Sequence, residues 1–264
     1  MNLTDIRDIK ALLARHGFHF SKSMGQNFLI EDWVPRDIAD AAGLDQSRGV
    51  LEIGPGIGPL TCQLAQWAGK VAAVELDRSL LPILSETLGE FDNVHIISGD
   101  VMKLDLAALV AEEFSGMTVH ACANLPYNIT TPVITKLLES GLFPSVTVMI
   151  QREVAKRICA APGSPDFGAF SLFCQYHAQC EYLFEVPREC FLPAPKVTSA
   201  VIRMTLRENP PVDCDRDALF SVIRAAFAQR RKTLLNSLSS ALSGWSKGDI
   251  QSAIASCGLP ADIR

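Results

Sequence analysis

The four residues Asn124-Leu125-Pro126-Tyr127 carry the chemistry that the rest of the chain has to serve. They close an apolar run, Val119 to Ala123, and so put an amide, a rigid proline and an aromatic ring at the C-terminal edge of a strand. Open α/β sheets bind their ligands at that edge. An exocyclic aromatic amine is a poor nucleophile because its lone pair is delocalised into the ring. The Asn124 side-chain carbonyl and the Leu125 backbone carbonyl could accept its two N–H bonds and draw the nitrogen towards tetrahedral geometry. Pro126 would hold those acceptors, and Tyr127 offers a face on which the base can stack. The same residues also suit an ordinary strand-ending turn with a half-buried tyrosine, so the reading depends on what lies beside them.

What lies beside them is Glu52-Ile53-Gly54-Pro55-Gly56-Ile57-Gly58, at the end of one apolar strand and the start of a helix. Glycines there let a ligand approach the backbone, and a helix N-terminus favours electron-rich groups. The spacing is GxGxG, not the GxGxxG of pyrophosphate binding, and Glu52 precedes it, which leans away from NAD and toward S-adenosylmethionine. A glycine triplet can also simply seat a helix on a strand. Glu75 ends the next strand about 20 residues on, where a carboxylate accepts ribose hydroxyls. Asp100 ends the third, within reach of an adenine amine. Three successive strand ends of this kind make a cofactor site.

The elements that position these residues alternate. Strands over 49–53, 70–74, 94–97, 119–123 and 145–150 are separated by helices over 60–67, 80–88, 107–113 and 132–138. Continuous apolar strands between helices predict a parallel sheet covered on both faces, an α/β, Rossmann-like fold. An amphipathic helix over 5–16, with Ile6, Ile9, Leu12 and Leu13 on one face, a polar loop over 21–29 and a helix over 35–42 precede it. After Gln151 come a helix over 153–160, an apolar segment over 169–178, and strands over 182–186 and 199–206. These last two suit an antiparallel hairpin on the sheet edge. Asn209-Pro210-Pro211 reads as a linker, dividing the chain into residues 1–208 and a small helical unit over 209–264.

With 48% hydrophobic and 20% charged residues in 264, the chain can bury one large core plus a small appended one. No run approaches the roughly 18 apolar residues of a membrane span. Asp5, Arg7, Asp8 and Lys10 stand where a secretory signal needs an apolar core, so a soluble cytoplasmic protein is expected. The eight cysteines form no CxxC pair, which suits reduced core thiols. Cys174, His177 and Cys180, with Cys190 beyond, would share a face if all lay on one helix, yet structural zinc sites draw ligand pairs from two turns, and core packing is preferred. The net charge of −5 excludes a uniformly basic protein. Between Ala218 and Gly248, however, there is no acidic residue, while Arg224, Arg230, Arg231, Lys232 and Lys247 are present. The end of an acidic chain is locally basic, a footprint compatible with nucleic acid.

In GQNFL at 25–29, EIGPGIGPLT at 52–61, VELD at 74–77, GDV at 99–101, NLPYNITTPV at 124–133 and FLPAPKVTSAVIRM at 191–204, the chain resembles the ribosomal RNA adenine dimethyltransferases, in particular the bacterial small-subunit type. The resemblance implies a Rossmann-like S-adenosylmethionine-dependent methyltransferase domain with a small C-terminal helical RNA-binding domain. It implies N6-dimethylation of two adjacent adenines in the 3′-terminal hairpin of small-subunit (16S) rRNA within the 30S subunit, with a role in 30S biogenesis and S-adenosylhomocysteine as product. By the matching motifs, Asn27 and Leu29 close over the cofactor, Gly54 and Gly56 line its methionine end, Glu75 its ribose and Asp100 its adenine, and Asn124 touches both cofactor and target amine. Leu125, Pro126 and Tyr127 complete the catalytic turn, and Phe191 faces Tyr127 across a flipped adenine. Arg224, Arg230, Arg231 and Lys232 are expected to contact RNA. The loop before Ser171 reads Phe-Gly-Ala-Phe where relatives often carry Tyr-Gly-x-Leu, and family members usually continue one helix past Arg264, so the helical unit is expected to be incomplete.

In-line attack on a sulfonium needs neither a metal nor a nucleophilic side chain, and none of the five histidines is assigned a role. Alternatives are a large-subunit rRNA adenine methyltransferase of the antibiotic-resistance type, a non-catalytic ribosome assembly factor, and a DNA adenine or protein glutamine methyltransferase. Pro55 and Thr130-Thr131-Pro132 favour the small-subunit type, intact Gly54, Glu75, Asp100 and Asn124 favour catalysis, and Leu125 stands where the third group more often carries proline.

Overall fold

The carboxylate of Asp5 accepts the backbone N–H groups of Arg7 and Asp8 and so starts helix α1 (Ile6–Arg15). Its apolar stripe, Ile9, Leu12 and Leu13, is buried, while Ile6 at the first position is exposed, one residue short of the expected face. The computed structural model describes residues 1–21, 25–229, 231–260 and 262–263. After α1 come β1 (Phe28–Leu29), α2 (Trp33–Ala42), β2 (Arg48–Ile53), α3 (Pro59–Trp67), β3 (Lys70–Glu75), α4 (Leu81–Leu88), β4 (Val94–Ser98), α5 (Leu106–Phe114), β5 (Thr118–Asn124), α6 (Thr130–Ser140) and β6 (Ser145–Gln151). Then follow α7 (Arg152–Ile158), α8 (Ala169–His177), β7 (Ala178–Val186), β8 (Phe191–Leu192), β9 (Ser199–Leu206), α9 (Arg216–Phe227), α10 (Leu234–Ala241) and α11 (Lys247–Ser256).

Seven strands form the main sheet in the order β4-β3-β2-β5-β6-β9-β7. The first five are parallel, and β9 and β7 are added antiparallel on the β6 side. Every residue of β2, β3 and β6 except the ends is buried, which is why these strands read as unbroken apolar runs. Because β3 and β4 lie on one side of β2 while β5 and β6 lie on the other, strand order reverses between β2 and β5. In such sheets the ligand crevice opens at that reversal, beyond the carboxyl ends of the two strands.

The edge hairpin has a more elaborate connection than expected. Between β7 and β9 the chain forms β8, which pairs antiparallel with β1 in a separate two-stranded ribbon, Phe28 opposite Leu192 and Leu29 opposite Phe191. β7 also begins at Ala178, earlier than the sequence pattern places it, directly after α8 ends at His177. Cys180 therefore lies on a strand, and Cys174, His177 and Cys180 do not share a helical face. His177 instead stacks on Phe220, with ring centroids 6.0 Å apart and planes 4° from parallel. Among the described residues, no cluster of His, Cys, Asp and Glu is arranged to hold a metal ion, and no helix is long and apolar enough to cross a membrane.

Helices α9, α10 and α11 pack around Ala225, Leu238, Ile250 and Ile254, an apolar cluster separate from those of the sheet. Phe220 of α9 meets Phe173 and Tyr176 of α8 at 5.5 and 5.1 Å, and Arg216 pairs with Glu139 of α6 at 2.9 Å. The helical unit is thus seated on one flank of the sheet domain by aromatic packing and an ion pair.

Candidate active site

Register decides which residues meet at the reversal point. Ile53 is opposite Val74, Glu75 opposite Ser98, and Glu52 opposite Cys122, so continuing the ladders brings Gly54, Glu75 and Asn124 to one level across three adjacent strands. The Gly54 N–H donates to the Val74 carbonyl at 2.9 Å and the Gly99 N–H to the Glu75 carbonyl at 2.9 Å, extending that alignment past the strand ends. A cleft of about 230 Å³ opens there. It is lined by every sequence-predicted cofactor and catalytic residue: Asn27, Leu29, Gly54, Gly56, Glu75, Asp100, Asn124, Leu125, Pro126, Tyr127 and Phe191.

The glycine loop is shaped by positive φ at Gly54 (69°), Gly56 (63°) and Gly58 (96°), conformations that L side chains rarely adopt. A Cβ on Gly56 would stand in ordinary contact with the Phe28 ring at 3.4 Å, so the positive φ, not lack of room, is what calls for glycine there. Glu75 is buried at the end of β3, and its carboxylate accepts the Gly56 N–H at 3.3 Å and the Asp77 N–H at 2.8 Å. Burial raises its pKa, and these two backbone donors only partly offset that effect. Asp100 accepts the Met102 N–H at 3.0 Å and remains partly exposed at the cleft edge.

Two features of the site go beyond what the sequence motifs specify. Gln26 donates to Asp77 at 2.6 Å and accepts the Ser21 N–H at 3.0 Å, so it ties the N-terminal loop to the same end of β3 that holds Glu75. Its signal was present, since Gln26 lies in the GQNFL motif and Asp77 in VELD. Glu52 lines the cleft, the residue 1% exposed and its Oε2 without a hydrogen-bond partner among the described residues. Burial pushes its pKa up to about 8, the nearby Glu75 adds to the shift, and Thr61 lowers it only in part.

On the other side of the cleft, the Leu125 N–H donates to the Met149 carbonyl at 3.1 Å, and the Pro126 carbonyl accepts the Thr130 hydroxyl at 3.2 Å. The turn is therefore fixed from behind by β6 and α6. The Asn124 side chain makes no hydrogen bond among the described residues and lines the cleft. Tyr127 also lines it, its hydroxyl 2.7 Å from Ser199 Oγ. Burial raises the tyrosine pKa, so the phenol stays protonated at neutral pH. Asn27 directs its amide to the Gly25 carbonyl at 3.0 Å, within its own loop. Phe191 and Leu29 are buried opposite each other in the β1–β8 ribbon, and they line the cleft from that ribbon. Arg224 lies exposed in the last turn of α9, and Arg231 and Lys232 lie exposed just before α10; Arg230 falls outside the described residues.

The family described as "Ribosomal RNA adenine dimethylase" matches residues 17–254. The chain is 53% identical over 232 residues to the ribosomal RNA small subunit methyltransferase A of Geobacillus thermodenitrificans (strain NG80-2), covering 87% of this chain and 79% of that relative. It is 45% identical over 257 residues to the protein of the same name from Alkaliphilus metalliredigens (strain QYMF), covering 97% and 90%. Among solved structures, the 23S rRNA methyltransferase ErmE superposes with a TM-score of 0.71 at 24% identity, covering 90% of this chain and 92% of that one. A dimethyladenosine transferase from Plasmodium falciparum superposes at 0.70 and 24%, covering 88% and 82%. Both structural likenesses establish the Rossmann-like methyltransferase fold. The extent of the family match and the identity to full-length relatives settle the class: this chain belongs to the ribosomal RNA adenine dimethylase family and is an rRNA adenine dimethyltransferase.

Proposed function

We propose that this enzyme transfers methyl groups from S-adenosylmethionine to N6 of two adjacent adenines in the 3′-terminal hairpin of small-subunit rRNA, two per adenine, and that it acts during 30S maturation. The observation that carries the reading is the convergence of the glycine loop, Glu75, Asp100 and the Asn124–Tyr127 turn on one cleft at the sheet's reversal point. The chain's residues suit such a donor: positive-φ glycines leave room for it, and two acidic side chains end neighbouring strands where hydroxyl and amine donors of a nucleoside would lie. Bound there, S-adenosylmethionine supplies a methyl group already activated on sulfur.

The protein's part is then positioning. Asn124 Oδ1 and the Leu125 carbonyl accept the two N–H bonds of the adenine amine and turn its lone pair toward the donor. Tyr127 stacks on the base, and Phe191 faces it from the β1–β8 ribbon. The proton leaves afterwards from a positively charged nitrogen, so no strong base is required. Once one methyl is present only one N–H remains, and a single acceptor aligns the second transfer. Residues 1–208 act as the catalytic domain and residues 209–264 as the RNA-docking unit, with Arg224, Arg231 and Lys232 against phosphates. Relatives named for the small subunit support that substrate, as do Pro55 and the Thr130-Thr131-Pro132 run.

Incubating the purified enzyme and labelled S-adenosylmethionine with undermethylated 30S particles, and separately with 50S particles, tests the reading. Dimethyladenine mapped to two neighbouring positions near the 3′ end of the small-subunit rRNA is expected. Label confined to 50S particles would replace the proposal with the large-subunit alternative.

A further inference from the structure

Tyr127 sits in a turn and has one polar atom far from its backbone. Ser199 begins β9 and is fully buried at 0% exposure, held between β6 and β7 by pairing with Gln151 and Val186. The two hydroxyls meet at 2.7 Å, and among the described residues Tyr127 is the only hydrogen-bond partner of the Ser199 side chain. Ser199 is followed by Ala200, Val201 and Ile202, all fully buried, so a hydroxyl here is an exception in an apolar strand. A buried hydroxyl is costly when unpaired, and the Tyr127 hydroxyl satisfies that of Ser199.

The geometry points to Ser199 as a positioning residue for the target adenine. It anchors the far end of the Tyr127 ring to the start of β9, between β6 and β7, so that the ring keeps its place in the wall of the cleft. This rests on the reading of Tyr127 as a stacking wall. A tyrosine ring swings about two torsions, the outer of which has a broad well. The hydroxyl oxygen lies on the axis of the outer torsion, so its hydrogen bond fixes the inner one, and with it where the ring stands, before the base arrives. Because the phenol is kept protonated and bonded to Ser199, it does no acid or base work on the amine. The tether should matter most in the second transfer, when the amine has a single N–H left for Asn124 or Leu125 and stacking carries more of the alignment.

The test is a cycle of Ser199→Ala, Tyr127→Phe and the double variant on undermethylated 30S particles, with kcat, KM and the ratio of monomethyl- to dimethyladenine measured for each. Each single variant should slow the second transfer about two- to tenfold, the range expected for losing one net hydrogen bond. Monomethyladenine should accumulate while affinity for S-adenosylhomocysteine is unchanged, the double variant should be no worse than either single one, and Ser199→Thr should restore much of the loss. Additive effects, or a normal product ratio in Ser199→Ala, would overturn the tether. Tyr127→Ala separates the two readings. If Tyr127→Ala is impaired and Ser199→Ala is normal, only the tether fails; if Tyr127→Ala turns over normally, the stacking wall fails as well.

Discussion

At Asn124 the structure offers an amide with no partner of its own, held at the cleft by a backbone that β6 and α6 fix from behind. An amide placed there is free to accept a hydrogen bond from a group that enters the cleft. Asn124→Ala should lower methyl transfer by about 100-fold or more, the scale of removing one preorganised polar contact, while RNA binding stays close to native. Methyl incorporation and filter binding would check this; a near-normal rate would remove Asn124 from the chemistry. Glu52 poses a different question, since its carboxyl is buried and its pKa stands at about 8 against an ordinary 4.5. Between those values the folded protein holds a proton that the unfolded chain has lost. Stability therefore falls as pH rises through this window and levels off above the folded value. Glu52→Gln keeps the shape and removes the titration, so its stability should be flatter across the window and higher than native at the alkaline end, by on the order of a few kcal/mol. Urea denaturation at a series of pH values reads this directly, and superimposable pH profiles would show that Glu52 does not titrate there.

The β1–β8 ribbon forms one wall of the cleft, because it joins the loop before α2 to the segment carrying Phe191. Leu29, 2% exposed, is its buried centre. Leu29→Ala should cost about 2–5 kcal/mol, measured by denaturation, and should also weaken binding of S-adenosylhomocysteine in a calorimetric titration. Lost stability with unchanged affinity would make the ribbon scaffold alone. Elements of this kind separate what could be read in the sequence from what could not. The strands β2 to β6 and their intervening helices were legible because each is a local pattern of apolar runs and periodic stripes, and the Gly54, Glu75 and Asp100 ends followed from them. A two-residue strand has no period to detect, so β1 and β8 were not visible, although both lie inside motifs that stood out. The start of β7 was missed because α8 passes into it with no turn residue between, and its first residues, with Gln179 and Glu181 among them, lie on an edge strand only partly buried. The Tyr127–Ser199 bond joins residues far apart in the chain, and a serine in an apolar run gives no sign of its partner.

Over the whole molecule the charge is divided, not balanced: a chain of net charge −5 ends in a helical unit whose stretch from Ala218 to Gly248 has no acidic residue. Composition alone made that asymmetry visible, but it did not show which cations are already spent. The structure sorts them. Arg216 is paired with Glu139 and holds the unit onto the sheet domain, whereas Arg224, Arg231 and Lys232 are exposed and have no ion pair among the described residues. Free cations can release counterions from a phosphate backbone on binding, and each phosphate neutralised contributes about 0.7 to the slope of log affinity against log salt for single strands, more for duplex. Replacing Arg224, Arg231 and Lys232 together by Ala should therefore weaken RNA binding most at low salt and flatten the slope by about two, with unfolding behaviour little changed because none of the three is buried. Arg216→Ala is the contrasting case. Its charge is already neutralised by Glu139, so the salt slope should stay near native while the seating of the helical unit loosens. Binding measured across a salt series for the two variants tests the division: an unchanged slope in the triple variant would return those side chains to being a solvated helix surface, and the docking role would have to pass to cations elsewhere in the chain.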